Sequence, residues 1–188
     1  MAVKINSIAQ ADVPMLSKTA FLASAEHGFY LLCSGNNIAE KAVELGSGSC
    51  FSHIARIWDG SINEGLTLES TPTKGVHVGT LRHYVEHYDG DLLLARRLCM
   101  TRQQTSRALY AGAQFLDDPY DMSGIFKTAF DRLLRRPAQL DYKRQYCSEL
   151  MFLMDAATDF PLQYWETPGQ QISDSTFVYV CAKLKGAQ

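Results

Sequence analysis

SHIARIWDGSINEGLTLESTP, residues 52–72, holds two short alternating runs separated by turn-forming residues, the pattern of a β-hairpin. In the first run His53 shares a face with Ala55 and Ile57, while Ile54, Arg56 and Trp58 take the other. The loop Asp59 to Gly65 joins 52–58 to 66–72. A register pairing Trp58 with Glu64 sets His53 directly opposite Glu69. Facing side chains of this kind have Cβ atoms about 5 Å apart. Glu69 would then orient the imidazole and stabilise its charged form. A slip of one residue would part them.

A histidine with a carboxylate partner poses the question of what it serves. QYCSELMFLMDAA, residues 145–157, offers Cys147 at the start of a helical pattern, with Leu150, Met151 and Met154 sharing its face. An ordinary thiol titrates near ~8.5 and becomes a nucleophile beside a histidine or at a helix N-terminus. Lys143 and Arg144 add positive potential just upstream. Asp141 is the nearest residue able to cap the helix, and capping there would start it ahead of Cys147. The combination reads as a triad. Cys147 attacks a carbonyl, His53 takes and returns the proton, Glu69 orients His53, and the Cys147 backbone N–H is a natural oxyanion donor.

Further along the chain, 28–35, 66–72 and 91–98 read as strands and 175–184 as a closing strand. Helical patterns cover 101–116, where Leu109, Ala113 and Leu116 recur at helical spacing, and 123–134. Residues 34–50, 73–80 and 158–174 read as loops that set cleft specificity. Strands and helices are segregated, so the expectation is one α+β domain over 1–188 with helices packed on an antiparallel sheet.

Composition excludes several classes. Hydrophobic residues make up 46% and charged residues 20%, a globular balance, and the net charge of -2 suits neither nucleic acid nor an anionic membrane. No run approaches the ~18 apolar residues of a membrane span. The opening MAVKINSIAQADVPML has no secretory pattern, which predicts a cytoplasmic protein with reduced thiols. Cysteines 33, 50, 99, 147 and 181 are odd in number and contain no CxxC, which argues against a disulfide framework or a cysteine zinc site.

Taken in order, GFYLLCSGNNIAEKAVELGSGSCFSHIARI, LTLESTPTKGVHV, DPYDMSGIF and YCSELM resemble the permuted NlpC-type, papain-like cysteine hydrolases, the YiiX-like group. The resemblance covers roughly Gly28 to Met154. It implies a circularly permuted papain-like fold in which the histidine strands precede the cysteine helix. It carries over Cys147 as nucleophile, His53 as base, Glu69 as third member and Tyr120 as a group near the oxyanion. The implied reaction is hydrolysis of an amide in a small peptide or cell-wall-type substrate, with no metal or organic cofactor. Relatives often open the first strand with Gly-Asp behind a signal sequence; this chain has Gly28-Phe29 and no signal.

Competing readings attach to the same residues. A thiol acyltransferase or lipid acyl hydrolase would use the same chemistry, and a non-catalytic binding protein would keep only the pocket. Taken alone, Cys147 is a core thiol, His53 a half-buried histidine, Glu69 a solvated strand residue and Tyr120 a turn element. HYVEH, residues 83–87, matches the H-x-x-E-H zinc-hydrolase pattern, but Asp89-Gly90 closes the segment at once, and the two histidines read as exposed faces of a connecting helix. Arginines 96–97 and the stretch 134–136 read as solvated charges or contacts to an acidic substrate group. The oligomeric state leaves no mark.

Overall fold

Every strand pairing among the described residues is antiparallel. A computed structural model describes residues 14–37, 40–41, 43–44, 50–60, 64–98, 100–124, 145–159 and 177–184. Its strands are β1 (Tyr30–Gly35), β2 (His53–Asp59), β3 (Leu66–Thr71), β4 (Gly75–Thr80), β5 (Gly90–Arg97) and β6 (Phe177–Leu184). They form one sheet in the order β4-β3-β2-β1-β5-β6. The helices are α1 (Lys18–Ala23), α2 (Leu81–His87), α3 (Arg102–Ala113) and α4 (Cys147–Ala156). Most of the expected 123–134 helix, together with Asp141, Lys143, Arg144 and the arginines at 135–136, lies outside the described residues. So do Cys99 and the side chain of Cys181.

Both faces of the sheet are covered, which explains why β1 and β5 read as nearly continuous apolar runs rather than alternating ones. Tyr30, Leu32, Ile54, Leu68 and Leu93 pack with Ala108 and Leu109 of α3 and with Leu150, Met151 and Met154 of α4. Leu31, Ala55, Ile57, Leu92 and Leu94 pack on the opposite side with Phe21 of α1 and Leu81 and Val85 of α2. The facing assigned to β2 from its alternation therefore holds, with Ala55 and Ile57 on one side and Ile54 on the other.

Three readings are corrected. Residues 75–80 form the edge strand β4 and not a loop. Gly75 and Gly79 depress the strand signal there, and Gly75, at φ +67, closes the tight turn from β3. The β2–β3 register also differs. Arg56 faces Leu68 and Ile57 faces Thr67, two residues away from the Trp58–Glu64 pairing, with an irregularity between Ile57 and Asp59. Finally, α3 stops at Ala113, and Asp117 at φ 70 turns the chain away before 116–118 can continue it.

The start of α4 falls at Cys147, where the helical pattern places it. Its N-cap is Tyr146, in extended conformation and making no side-chain cap hydrogen bond, so Cys147 is the first helical residue. Helix and approach are anchored at both ends. Ser70 of β3 donates to the Gln145 carbonyl at 2.6 Å. Ten residues further on, Asp155 is fully buried and accepts from Arg56 of β2 at 2.5 Å and from Arg97 of β5 at 2.6 Å. The Tyr30 hydroxyl of β1 donates to the same carboxylate at 2.7 Å. Arg97 is thus an internal ion-pair partner and not a solvated charge, whereas Arg96 is exposed. Apolar packing alone leaves a helix free to slide or roll by small amounts; a carboxylate held from three strands does not.

Candidate active site

His53 opens β2 and Glu69 sits near the end of β3, beyond the last recorded pair of their ladder, Arg56↔Leu68. The two side chains meet across this diagonal, His53 Nε2 lying 3.1 Å from Glu69 Oε2. A carboxylate only accepts, so Nε2 carries the proton and Nδ1 is left as the basic nitrogen. The Cys147 thiol lies close enough to His53 to help raise its imidazole. The triad residues expected from the sequence are thus brought together, with Cys147 at the first position of α4, where backbone N–H groups have no intrahelical partner. Glu149 in the first turn is the only charged side chain of that turn.

The electrostatics follow from this contact. Burial opposes charge on His53, but its hydrogen bonds to Cys147 and Glu69 and their negative charge outweigh it and raise the imidazole to about 10. Burial likewise works against ionisation of Glu69, and the His53 hydrogen bond and charge, then the Tyr84 and Thr67 hydroxyls, bring it down to about 2. An imidazolium beside an ionised carboxylate is the charge state these two directions favour.

Other thiols nearby are of a different kind. Cys33 pairs with His53 across β1 and β2 yet is fully buried, and burial, then the Glu69 charge, pushes its thiol well up. Burial holds Cys50 up at about 11. Both are neutral thiols at physiological pH.

Tyr120 lines the same groove and lies close enough to Cys147 and Asp121 for their charges to add to burial in raising its phenol. The segment is pinned to the edge of β4, where Val76 and Asp117–Asp118 exchange backbone hydrogen bonds of 2.9 Å. Asp121 then accepts from Ser123 Oγ at 2.7 Å and Gly124 N at 2.8 Å. DPYD itself has no regular structure, following the turn at 114–117, and brings a neutral phenol to the site.

A groove of about 880 Å³ leads to these groups, lined by His53, Glu69, His77, Val78, Tyr84 and Tyr120 among others. His83 and His87 stand on its α2 side with ring centroids 5.2 Å apart. Among the described residues no group of three or more His, Cys, Asp or Glu side chains is arranged to hold a metal ion. The sequence reading missed Tyr84, Thr67 and Gly79, all of which surround Glu69. Tyr84 lies inside the HYVEH stretch, whose sequence pattern is carried by its histidines and glutamate.

No protein-family model matches the sequence, and no curated protein sequence does. Among solved structures, the fold is similar to that of the metalloprotein YiiX from Escherichia coli O157:H7, DUF1105. The TM-score is 0.57 at 16% identity, over 88% of this chain and 91% of that one. At this identity the likeness concerns the fold, a mixed α/β arrangement built on an antiparallel sheet. No described helix is long and apolar enough to cross a membrane.

Proposed function

We propose that residues 1–188 form a single permuted papain-like domain and that the protein is a cysteine hydrolase of amide bonds. The observation that carries this reading is the His53 ring, held by the Glu69 carboxylate and close enough to the thiol at the first residue of α4 for that thiol to help raise the imidazole. The likeness to the YiiX fold supports it only at the level of architecture.

In the proposed reaction the Cys147 thiol gives its proton to His53 Nδ1 as its sulfur bonds to the substrate carbonyl carbon, and the electron pair of the C=O π bond moves onto the oxygen. The Cys147 backbone N–H and the Tyr120 hydroxyl donate to that oxyanion. As the C–N bond breaks, the amine leaves with the proton from His53. Water then gives a proton to His53 while its oxygen bonds to the acyl carbon. The S–C bond breaks, and a carboxylic acid is released. Glu69 keeps the proton-bearing Nε2 pointed away from the sulfur throughout. These steps use only this chain's side chains and a small peptide or acyl-amide substrate.

The test is the rate of alkylation of each cysteine, resolved by peptide mapping from pH 5 to pH 9, in the wild type and in His53→Ala. Rapid modification of Cys147 at pH 6 that disappears in His53→Ala, with Cys33 and Cys50 slow in both, is expected. A Cys147 that reacts slowly and independently of His53 would leave a binding protein of this shape. Turnover of peptide amides rather than acyl esters then separates the hydrolase from an acyltransferase.

A further inference from the structure

The Glu69 carboxylate has neighbours on four elements besides its own strand, and of these only His53 belongs to the triad. Oε2 receives His53 Nε2–H at 3.1 Å and also the Tyr84 hydroxyl of α2. Oε1 receives the Thr67 hydroxyl at 2.9 Å and faces His77 Nε2 of β4 at 3.9 Å. Cys33 is the remaining titratable neighbour from β1. The Tyr84 ring meanwhile lies nearly parallel to the His53 ring, with centroids 6.0 Å apart and planes inclined by 11°. Tyr84 therefore touches both members of the pair, one through its hydroxyl and one through its ring.

We infer that Tyr84 is a positioning residue, whose hydroxyl fixes the plane of the Glu69 carboxylate and whose ring backs the His53 imidazole. The inference rests on the proposed triad. Its physical ground is the terminal torsion of glutamate, which is broad and has no strong preferred setting. One donor on Oε2 leaves the carboxylate free to swing about that contact. Two donors on Oε2 and one on Oε1 define its plane. A fixed carboxylate in turn holds the His53 tautomer and leaves Nδ1 for the sulfur.

Two further observations support a built arrangement. Opposite Thr67, two residues along β4 from the His77 that pairs with Glu69, stands Gly79, where a Cβ would lie 2.0 Å from Glu69 Oε1 and 2.8 Å from Thr67 Oγ1. The strand leaves out a side chain at the spot the carboxylate occupies. The helix that supplies Tyr84 is also tied down at its start. Thr80 accepts from His83 N, and the amides of Leu81 and Arg82 donate to Gly65 and Glu64 at 2.8 and 2.9 Å. Leu81 and Val85 are buried, so α2 presents Tyr84 to Glu69 from a set position while His83 and His87 face outward. HYVEH thus acts through its tyrosine.

The experiment compares the ratio of Cys147 alkylation rates by iodoacetamide at pH 6 and pH 9 in the wild type, Tyr84→Phe, His53→Ala, Glu69→Gln and the Tyr84→Phe/Glu69→Gln double variant. The expected result is a fall of about tenfold in the ratio for Tyr84→Phe, the size of one hydrogen bond to a charged group. In the Glu69→Gln background the same change is expected to add little. A purely structural tyrosine would lower the melting temperature and leave the ratio unchanged, which would overturn the inference. Should Tyr84→Phe not fold, 3-fluorotyrosine at position 84 alters the donor strength at nearly constant volume, and an unmoved ratio there overturns it equally. A His53→Ala protein that keeps the wild-type ratio removes the triad and this inference together. Loss of the ratio in His53→Ala but not in Tyr84→Phe removes the inference alone.

Discussion

His53 and Glu69 meet on a diagonal, 3.1 Å apart, although the β2–β3 register would set Ala55 and not His53 opposite Glu69. The register is two residues from the one that places them face to face. A shift of two preserves which side of the sheet each side chain takes, whereas a shift of one would reverse it. The long glutamate side chain spans the remaining offset.

Replacing Glu69 by Gln removes its charge and leaves a weaker hydrogen bond, to a neutral acceptor, in place of one that is among the main causes raising His53 against burial. The His53 titration should move down from about 10 toward its ordinary 6.5. Imidazole NMR of the wild type and Glu69→Gln across pH 5–11 measures it. A His53 titration left in place would mean that Glu69 does not set the imidazole.

Stability should depend on pH through the same pair. The His53 contribution is fully present below 6.5 and is lost as pH rises through about 10. The Glu69 contribution is present above 4.5 and is lost as pH falls through about 2. Both act in full between those inner limits. Denaturant unfolding of wild type and His53→Ala should therefore differ most near pH 5–6 and converge above pH 10. A difference that grows toward high pH would reverse the assignment.

Gly79→Ala separates the site from the fold. The nearest atom to the added Cβ is the end of the Glu69 side chain, at 2.0 Å, and a side-chain tip can move where backbone cannot. The melting temperature should fall only modestly, by about 1–3 kcal/mol in stability terms. Fast Cys147 alkylation at pH 6 should be largely lost. A variant that reacts like the wild type would show that Glu69 reaches His53 by another path.

Asp155→Ala acts in the opposite sense. It leaves Arg56 and Arg97 buried without their shared carboxylate. Breaking a buried pair in this way is worth roughly 3–5 kcal/mol, so urea unfolding should show a loss of that order. A loss below about 1 kcal/mol would mean that the cluster is wetter than its burial indicates.

Much of this arrangement is legible in the sequence. The alternation of 52–58 and 66–71 sets His53 and Glu69 on chosen faces, and the spacing of Leu150, Met151 and Met154 gives α4 its buried side together with Cys147. Those are local consequences of side-chain period, which a linear pattern records. Tertiary structure alone decided the rest. The register, the choice of Asp155 as partner for Arg56 and Arg97, and the convergence of Tyr84, Thr67 and Gly79 on one carboxylate all join residues far apart in the chain. Such contacts are selected by burial and by the need to pair every buried charge, and neither condition exists until the sheet and its helices close on one another.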